Sequence, residues 1–334
     1  MERNVCIIGT GSYSPKNHLS KEHFIKHFEK FEKGKQAEAI LNVLGRDRMP
    51  LVDKDENNLT MSVEAARRAF IDAEISPNDI DMIISASDTP EYLSPSCAMM
   101  IKNELKADNV MCLFDMNNDC LAMLNAIDIA VNYLKVNKKY RRVLIVSSVA
   151  LSPFAMEDDI LVYSAVSDGA SAVILEAVEE NKSRGFISSK MIADTSFIHT
   201  VRFPVCGMSN IYDENIQIAD KKMRSVPFDF TFISEKWANL ITDVLNDCQY
   251  SPNDVSHYIM SQFSYTDIED TLRLLGDSVD KATFIADKYG YTGCASPIMA
   301  LDYRLKNDKF CEDDLIVFCS AGAGYTAGAL LYKW

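Results

Sequence analysis

The sequence is poor in the features that mark several large protein classes. No apolar run approaches the ~18 residues that cross a bilayer. Met1-Glu2-Arg3-Asn4 leads straight into a short apolar segment and a glycine turn. A secretory signal would carry a longer apolar stretch and a small-residue cleavage site, so the cytoplasm is the expected location. Positive charge is also scarce: 34 Lys and Arg stand against 48 Asp and Glu, a net charge of −14. Phosphate backbones and anionic lipid surfaces both require a basic face, so neither nucleic acid nor membrane is an expected partner.

Histidine is rare, five in 334 residues. His23 and His27 stand four apart, but Lys21, Glu22, Lys26 and Lys30 surround them, the pattern of a solvated helix rather than a ligand pair. No His-Glu-x-x-His, Walker lysine or Gly-x-Ser-x-Gly motif occurs. Gly9-Thr10-Gly11 follows a strand pattern, yet Ser-Tyr-Ser-Pro stands where a dinucleotide-binding helix would begin. The nine cysteines include no Cys-x-x-Cys pair. An odd, scattered set fits reduced thiols packed as small hydrophobes, and no metal is expected.

What is present is ordinary for a globular enzyme: 48% hydrophobic and 25% charged residues. The length suggests two domains or two similar halves. An internal echo favours halves. Ser76-Pro77-Asn78-Asp79 recurs as Ser251-Pro252-Asn253-Asp254, each time between a helix-period stretch and a β-rich run. A serine N-cap followed by proline opens a helical turn, so the tetrapeptide alone is only a capping signal; its matching context makes it a repeat. Apolar runs 110–114, 143–147, 282–285 and 315–319 alternate with helical patterns, which predicts an α/β architecture with buried sheets. The halves are placed at about 1–175 and 176–334. The stretch of about 186–235, with Pro204, Gly207 and Pro227, reads as a substrate-facing insertion.

Cys120 is the cysteine with chemical promise. It lies after a buried strand and at the start of a long helical pattern. A helix N-terminus offers unpaired N–H groups and positive dipole, which favour thiolate and can hold an oxyanion. A structural cysteine at a strand–helix junction is the competing reading.

Several motifs together carry a family resemblance. Ile8–Pro15 is similar to a GTGSYLP start, Glu64–Ala69 to an EAARRAL helix, and Asp115–Cys120 to a D-x-N-A-A-C nucleophile segment. Ser167–Ala172 resembles GDGAGA, Tyr289–Gly293 resembles YGNTS, and Gly324–Gly328 resembles GFTWG. In this order they resemble β-ketoacyl-acyl carrier protein synthase III, a thiolase-like condensing enzyme. The resemblance implies a five-layer αβαβα fold with two five-stranded sheets around a central helix pair, and dimerisation with itself or a related subunit. It makes Cys120 the acyl-accepting position, with backbone N–H groups of Cys120 and Gly324 as the oxyanion hole. The donor would be an acyl-coenzyme A or acyl-carrier-protein thioester, with no bound cofactor.

The departures bear on the reaction. Ser261 stands where the family has its histidine, and Tyr291 where it has its asparagine. The coenzyme A clamp has as its rough counterparts Glu38 and Asn42. Asp119 precedes the cysteine, and Ser94 replaces a gating aromatic. Asp119 would raise the thiol pKa if it faced the sulfur, or cap the helix if it faced the amides. With Phe263 and Ser264, Ser94 and Asp119 are the expected acyl and acceptor pocket. Three activities remain open: acyl transfer from Cys120 to a non-malonyl acceptor, decarboxylative condensation using Ser261 and Tyr291, or a non-catalytic subunit of a heterodimeric synthase. Without an imidazole, a single ionisation should control acylation.

Overall fold

The computed structural model describes residues 2–226 and 229–334, so Pro227 of the expected insertion lies outside the described residues. Two sheets are built on one plan. The first runs from edge to edge as Glu2–Tyr13, Gly169–Glu180, Arg142–Val149, Met82–Ala86 and Cys112–Met116. The second runs Gly185–Phe197, Gly324–Lys333, Leu315–Gly322 and His257–Met260. In each, the outer two strands pair antiparallel, while Met82–Ala86 and His257–Met260 pair parallel with their inner neighbours.

The repeated tetrapeptide does the same work twice. Ser76 and Asp79 form a reciprocal capping box around a single 3₁₀ turn, as do Ser251 and Asp254. Each turn satisfies its own end groups and releases the chain into a fully buried strand. The second sheet has four strands where five were expected. The run Ala282–Ile285 contributes only one bridge, from Ala282 to Tyr258. The Gln262 side chain supplies what the missing ladder does not. Its amide donates to Met260 and Thr283 carbonyls and accepts from the Ile285 N–H, at 2.8–3.0 Å.

Helices complete the five layers. Asn58–Ala73 and Cys97–Leu105 cover the outer face of the first sheet. Ile233–Asn246 and Tyr265–Leu274 cover the outer face of the second. Ala122–Val136 and Ser296–Asn307 fill the space between the sheets within one shared core. The opening Gly-Thr-Gly is a packing device. A Cβ at Gly9 would lie 2.7 Å from the Ala69 carbonyl, and one at Gly11 2.3 Å from that of Ala65. Glycine alone lets this strand lie against the Asn58–Ala73 helix.

Two expected boundaries shift. Gly169–Glu180 continues past residue 175, and Gly185–Phe197 is a regular strand of the second sheet. Its thirteen residues are mostly half-buried and polar in composition, which hid the strand in the sequence. The irregular stretch begins only after Phe197, with short 3₁₀ turns and a two-residue strand pair, Val201–Arg202 with Arg224–Ser225. Among the described residues, no helix is long and apolar enough to cross a membrane.

Candidate active site

Cys120 sits in the 3₁₀ turn Asp119–Leu121, between the edge strand of the first sheet and the helix Ala122–Val136. The turn is fixed from the other half of the molecule: Ser320 Oγ donates to the Cys120 carbonyl at 3.0 Å. Gly293 passes close by. A Cβ there would meet Cys120 Sγ at 3.7 Å and Val149 at 2.8 Å, on a backbone with φ of +50°.

The structure brings Cys120, Asp119, Ser261, Tyr291, Phe263 and Gly324 onto the wall of one cavity of about 140 Å³. An engineered apolar cavity of about this size holds a benzene-sized molecule. Most of the rest of the wall is apolar, including Val149, Leu161, Phe197, Met223, Phe232 and Trp237. Tyr291 is held by Ser167 N–H donating to its carbonyl at 2.8 Å. Ser261 Oγ lies 3.4 Å from its hydroxyl, and the phenol is near enough to Cys120 for each to act on the other's ionisation.

Two expected wall residues lie elsewhere. Ser264 caps the helix Tyr265–Leu274, accepting from the Asp267 N–H at 3.1 Å. Ser94 lies in an exposed loop, because the chain turns outward after the strand Met82–Ala86. The clamp counterparts also point away. Asn42 pairs with Lys21, and the face of the helix Gly34–Leu44 that lines a second cavity carries Gln36, Ile40 and Val43.

No histidine lines the Cys120 cavity. His257 is four residues from Ser261, at the far end of its strand, with Nε2 2.8 Å from Thr283 Oγ1. Burial, aided by the Arg304 charge, holds its imidazole down to about 4. It is a packed, neutral core histidine.

A carboxyl pair stands beside the sulfur instead. Asp88 follows the strand Met82–Ala86, lines the same cavity as Asp119 and is near enough to feel its charge. Burial and then the Asp119 charge push the Asp88 carboxyl up to about 7. Asp119 adopts φ of +50° and accepts from the Ala323 N–H at 2.6 Å. The amide that meets the nucleophile turn is therefore Ala323's, one residue before the expected Gly324, and Asp119 occupies it. Burial first, then Asp119 and Asp88, raise the Cys120 thiol well above its usual value, with Tyr291 opposing. The helix-terminus expectation of an easily formed thiolate is overturned, because desolvation and two carboxyls outweigh the dipole.

The sequence reading missed Asp88 and Arg46. The first had a signal, an acidic residue just beyond the carboxyl end of a parallel strand, where α/β sites gather. Arg46 is 1% exposed and donates to the carbonyls of Leu44, Ala165, Gln262 and Phe263. Its guanidinium lies 6.0 Å from the Tyr291 ring centroid. Burial brings it down to about 9.

Comparison with known proteins agrees with this architecture. The C-terminal model of 3-oxoacyl-[acyl-carrier-protein (ACP)] synthase III matches residues 245–334, and the companion model of the same family matches residues 114–195. Beta-ketoacyl-[acyl-carrier-protein] synthase III of Clostridium botulinum is 28% identical, with 99% of each chain covered. The enzyme of that name from Staphylococcus aureus is 29% identical, again over 99% of each. The crystal structure of 3-oxoacyl-[acyl-carrier-protein] synthase III from Aquifex aeolicus is 26% identical, covers 99% of this chain and 100% of its own, and superposes with a TM-score of 0.84. OleA of Xanthomonas campestris, at 19% identity with full coverage of both chains, shares the fold with a TM-score of 0.83. The chain belongs to the 3-oxoacyl-[acyl-carrier-protein] synthase III family of thiolase-fold condensing enzymes.

Proposed function

We propose that this chain is an acyltransferase that loads an acyl group onto Cys120 and passes it to a non-malonyl acceptor bearing an O–H or N–H. The donor is an acyl-coenzyme A or acyl-carrier-protein thioester, no cofactor is used, and the setting is specialised polyketide- or fatty-acid-like biosynthesis. The chain acts as a dimer, with itself or with a related subunit. The observation that carries the reading is the Asp88–Asp119 pair beside Cys120 in a cavity without imidazole. A malonyl carboxylate placed there would face two carboxyls, which disfavours decarboxylative condensation and favours a neutral acceptor.

The chemistry balances without a metal or cofactor. In the first half-reaction the ionised carboxyl pair takes the Cys120 thiol proton. Sulfur bonds to the acyl carbon, the donor C–S bond breaks, and the proton passes to the departing thiolate. In the second, the acceptor gives its proton to the pair and bonds to the acyl carbon. The Cys120–acyl bond breaks and the thiolate is reprotonated. The thioester oxygen takes the Ala323 N–H that Asp119 holds at rest, while Asp119 moves towards Asp88.

A non-catalytic subunit is the second reading, favoured by one observation: Asp119 already fills the amide that an oxyanion would need. Intact-mass measurement with panels of acyl-coenzyme A and acyl-carrier thioesters separates the two. Acyl transfer requires an adduct that disappears in Cys120→Ala; the subunit reading requires none. A separate malonyl decarboxylation assay tests the condensing alternative through Ser261 and Tyr291.

A further inference from the structure

Arg46 is a buried cation that neither half-reaction uses. It is 1% exposed, and among the described residues no carboxylate pairs with it. Its hydrogen bonds all go to main-chain carbonyls: Leu44 at 2.6 Å, Ala165 at 2.9 Å, Gln262 at 3.1 Å and Phe263 at 2.6 Å. A charge taken out of water without a counter-charge is costly, and packing alone is better served by an apolar side chain. What sets arginine apart is a rigid fork of donors that can hold carbonyls of separate segments at once.

The segments it joins carry the cavity wall. Ala165 ends the turn Leu161–Ala165, whose Leu161 and Val162 line the cavity. The next residue, Val166, lines it too and bridges to Tyr291. Gln262 and Phe263 directly follow Ser261, and Ser261 and Phe263 both line the cavity. The Phe263 ring meets the Tyr291 ring edge-on, with centroids 5.4 Å apart, and the guanidinium lies 6.0 Å from the Tyr291 centroid. The Cys120 turn has anchors of its own, the Ser320 hydroxyl and the Asp119–Ala323 contact. Arg46 makes no hydrogen bond to that turn.

We propose that Arg46 is a positioning residue for acyl transfer: it ties the Leu161–Ala165 turn to the Ser261–Phe263 segment and so sets Ser261 and Phe263 against Tyr291 on the acceptor side of the cavity. Its effect falls on the second half-reaction more than on the loading of Cys120. The inference rests on the acyl-transfer reading of this site. Small displacements of a positioned wall are enough, since a shift of about 1 Å can cost ~10²-fold in rate.

The test loads the enzyme with hexanoyl-coenzyme A and follows loss of the hexanoyl group to hydroxylamine, both steps by intact mass. Wild type, Arg46→Met and Arg46→Lys are compared on protein folded by circular dichroism. In Arg46→Met, deacylation should fall roughly tenfold more than acylation, with Arg46→Lys between it and wild type because a charge and some donors remain. Phe263→Leu is measured beside them and keeps the test open if neither Arg46 variant folds. It removes the ring that the clamp sets against Tyr291, and deacylation should again fall more than acylation. If both steps slow in the same proportion, or deacylation is untouched, Arg46 only holds the fold and the inference is overturned, while acyl transfer stands. If wild type forms no adduct, or loses it no faster than urea-unfolded acyl protein does, the acyl-transfer reading fails and this inference falls with it.

Discussion

The Ala323 N–H donates to the Asp119 carboxylate at 2.6 Å, joining the nucleophile turn of the first half to the closing hairpin of the second. A ligand oxygen that takes the Ala323 N–H has to displace this side-chain oxygen. Asp119 is thus held against a donor amide, with the Asp88 carboxyl near enough to feel its charge. Ligand entry must then compete with Asp119 rather than with water.

Removing that carboxylate should release the thiol. Asp119→Ala takes away the charge that follows burial as the main cause of the raised Cys120 pKa. Iodoacetamide alkylation of Cys120 at pH 8 should speed up several-fold, though burial keeps the thiol above its usual value. Acyl transfer should nevertheless fall by about 10²-fold, the scale of a lost general base. Unchanged alkylation would show that Asp119 does not act on the sulfur.

The pH profile should carry an acid limb, contrary to the expectation of a single ionisation from sequence. With the Asp88 carboxyl pushed up to about 7, acylation should rise as that carboxyl ionises near that pH. An imidazole would give a similar limb, so the discriminating variant is Asp88→Asn. It should abolish the limb, whereas a limb that survives would assign it elsewhere.

The same carboxyl affects stability. Its pKa is raised on folding, so its contribution is fully present below the unfolded value near ~3.9 and is lost as pH rises through about 7. Asp88→Asn should therefore stabilise the fold more at pH 8 than at pH 5. The difference is on the order of 2 kcal/mol, given about 1.4 kcal/mol per pKa unit and sharing with Asp119. Thermal melts at the two pH values check it. Equal shifts would contradict the raised Asp88 carboxyl.

Tyr291 is near enough to Cys120 to act on its ionisation, so a first-step effect is expected besides one on the acceptor. Tyr291→Phe should slow acylation about tenfold, ~1.4 kcal/mol of barrier. Ser261→His with Tyr291→Asn should lower transfer to the native acceptor further than it lowers acylation. Acceptor transfer untouched by the double change would mark both residues as mere filling.

Asp168 should be structural. Its buried carboxylate accepts from the N–H groups of Val52, Leu151 and Ser152 at 2.8–3.0 Å, and from the Ser152 hydroxyl. Asp168→Ala leaves three amides unpaired around the loop that borders the cavity. A loss of about 3 kcal/mol is expected in urea unfolding. A loss below about 1 kcal/mol would mean that water replaces the carboxylate freely.

The sequence by itself determined the duplicated plan, because its signals are local. The two Ser-Pro-Asn-Asp turns cap themselves and lead into strands whose runs of Ile, Val and Leu can only be buried. Cys120 was legible for the same reason, as a cysteine at a strand–helix junction inside an ordered set of motifs, and so was Ser261 in place of an imidazole. The length of Gly185–Phe197 was not, since an edge strand with one solvated face tolerates the polar residues of a loop. Only the tertiary structure decided the electrostatics of the site. Asp88, Asp119 and Ala323 are far apart or on separate halves, and packing of the two sheets on their shared core sets their separation. Burial then turns that arrangement into a raised thiol, an Asp88 carboxyl near neutrality and a lowered Arg46, none of which has a local pattern in the chain.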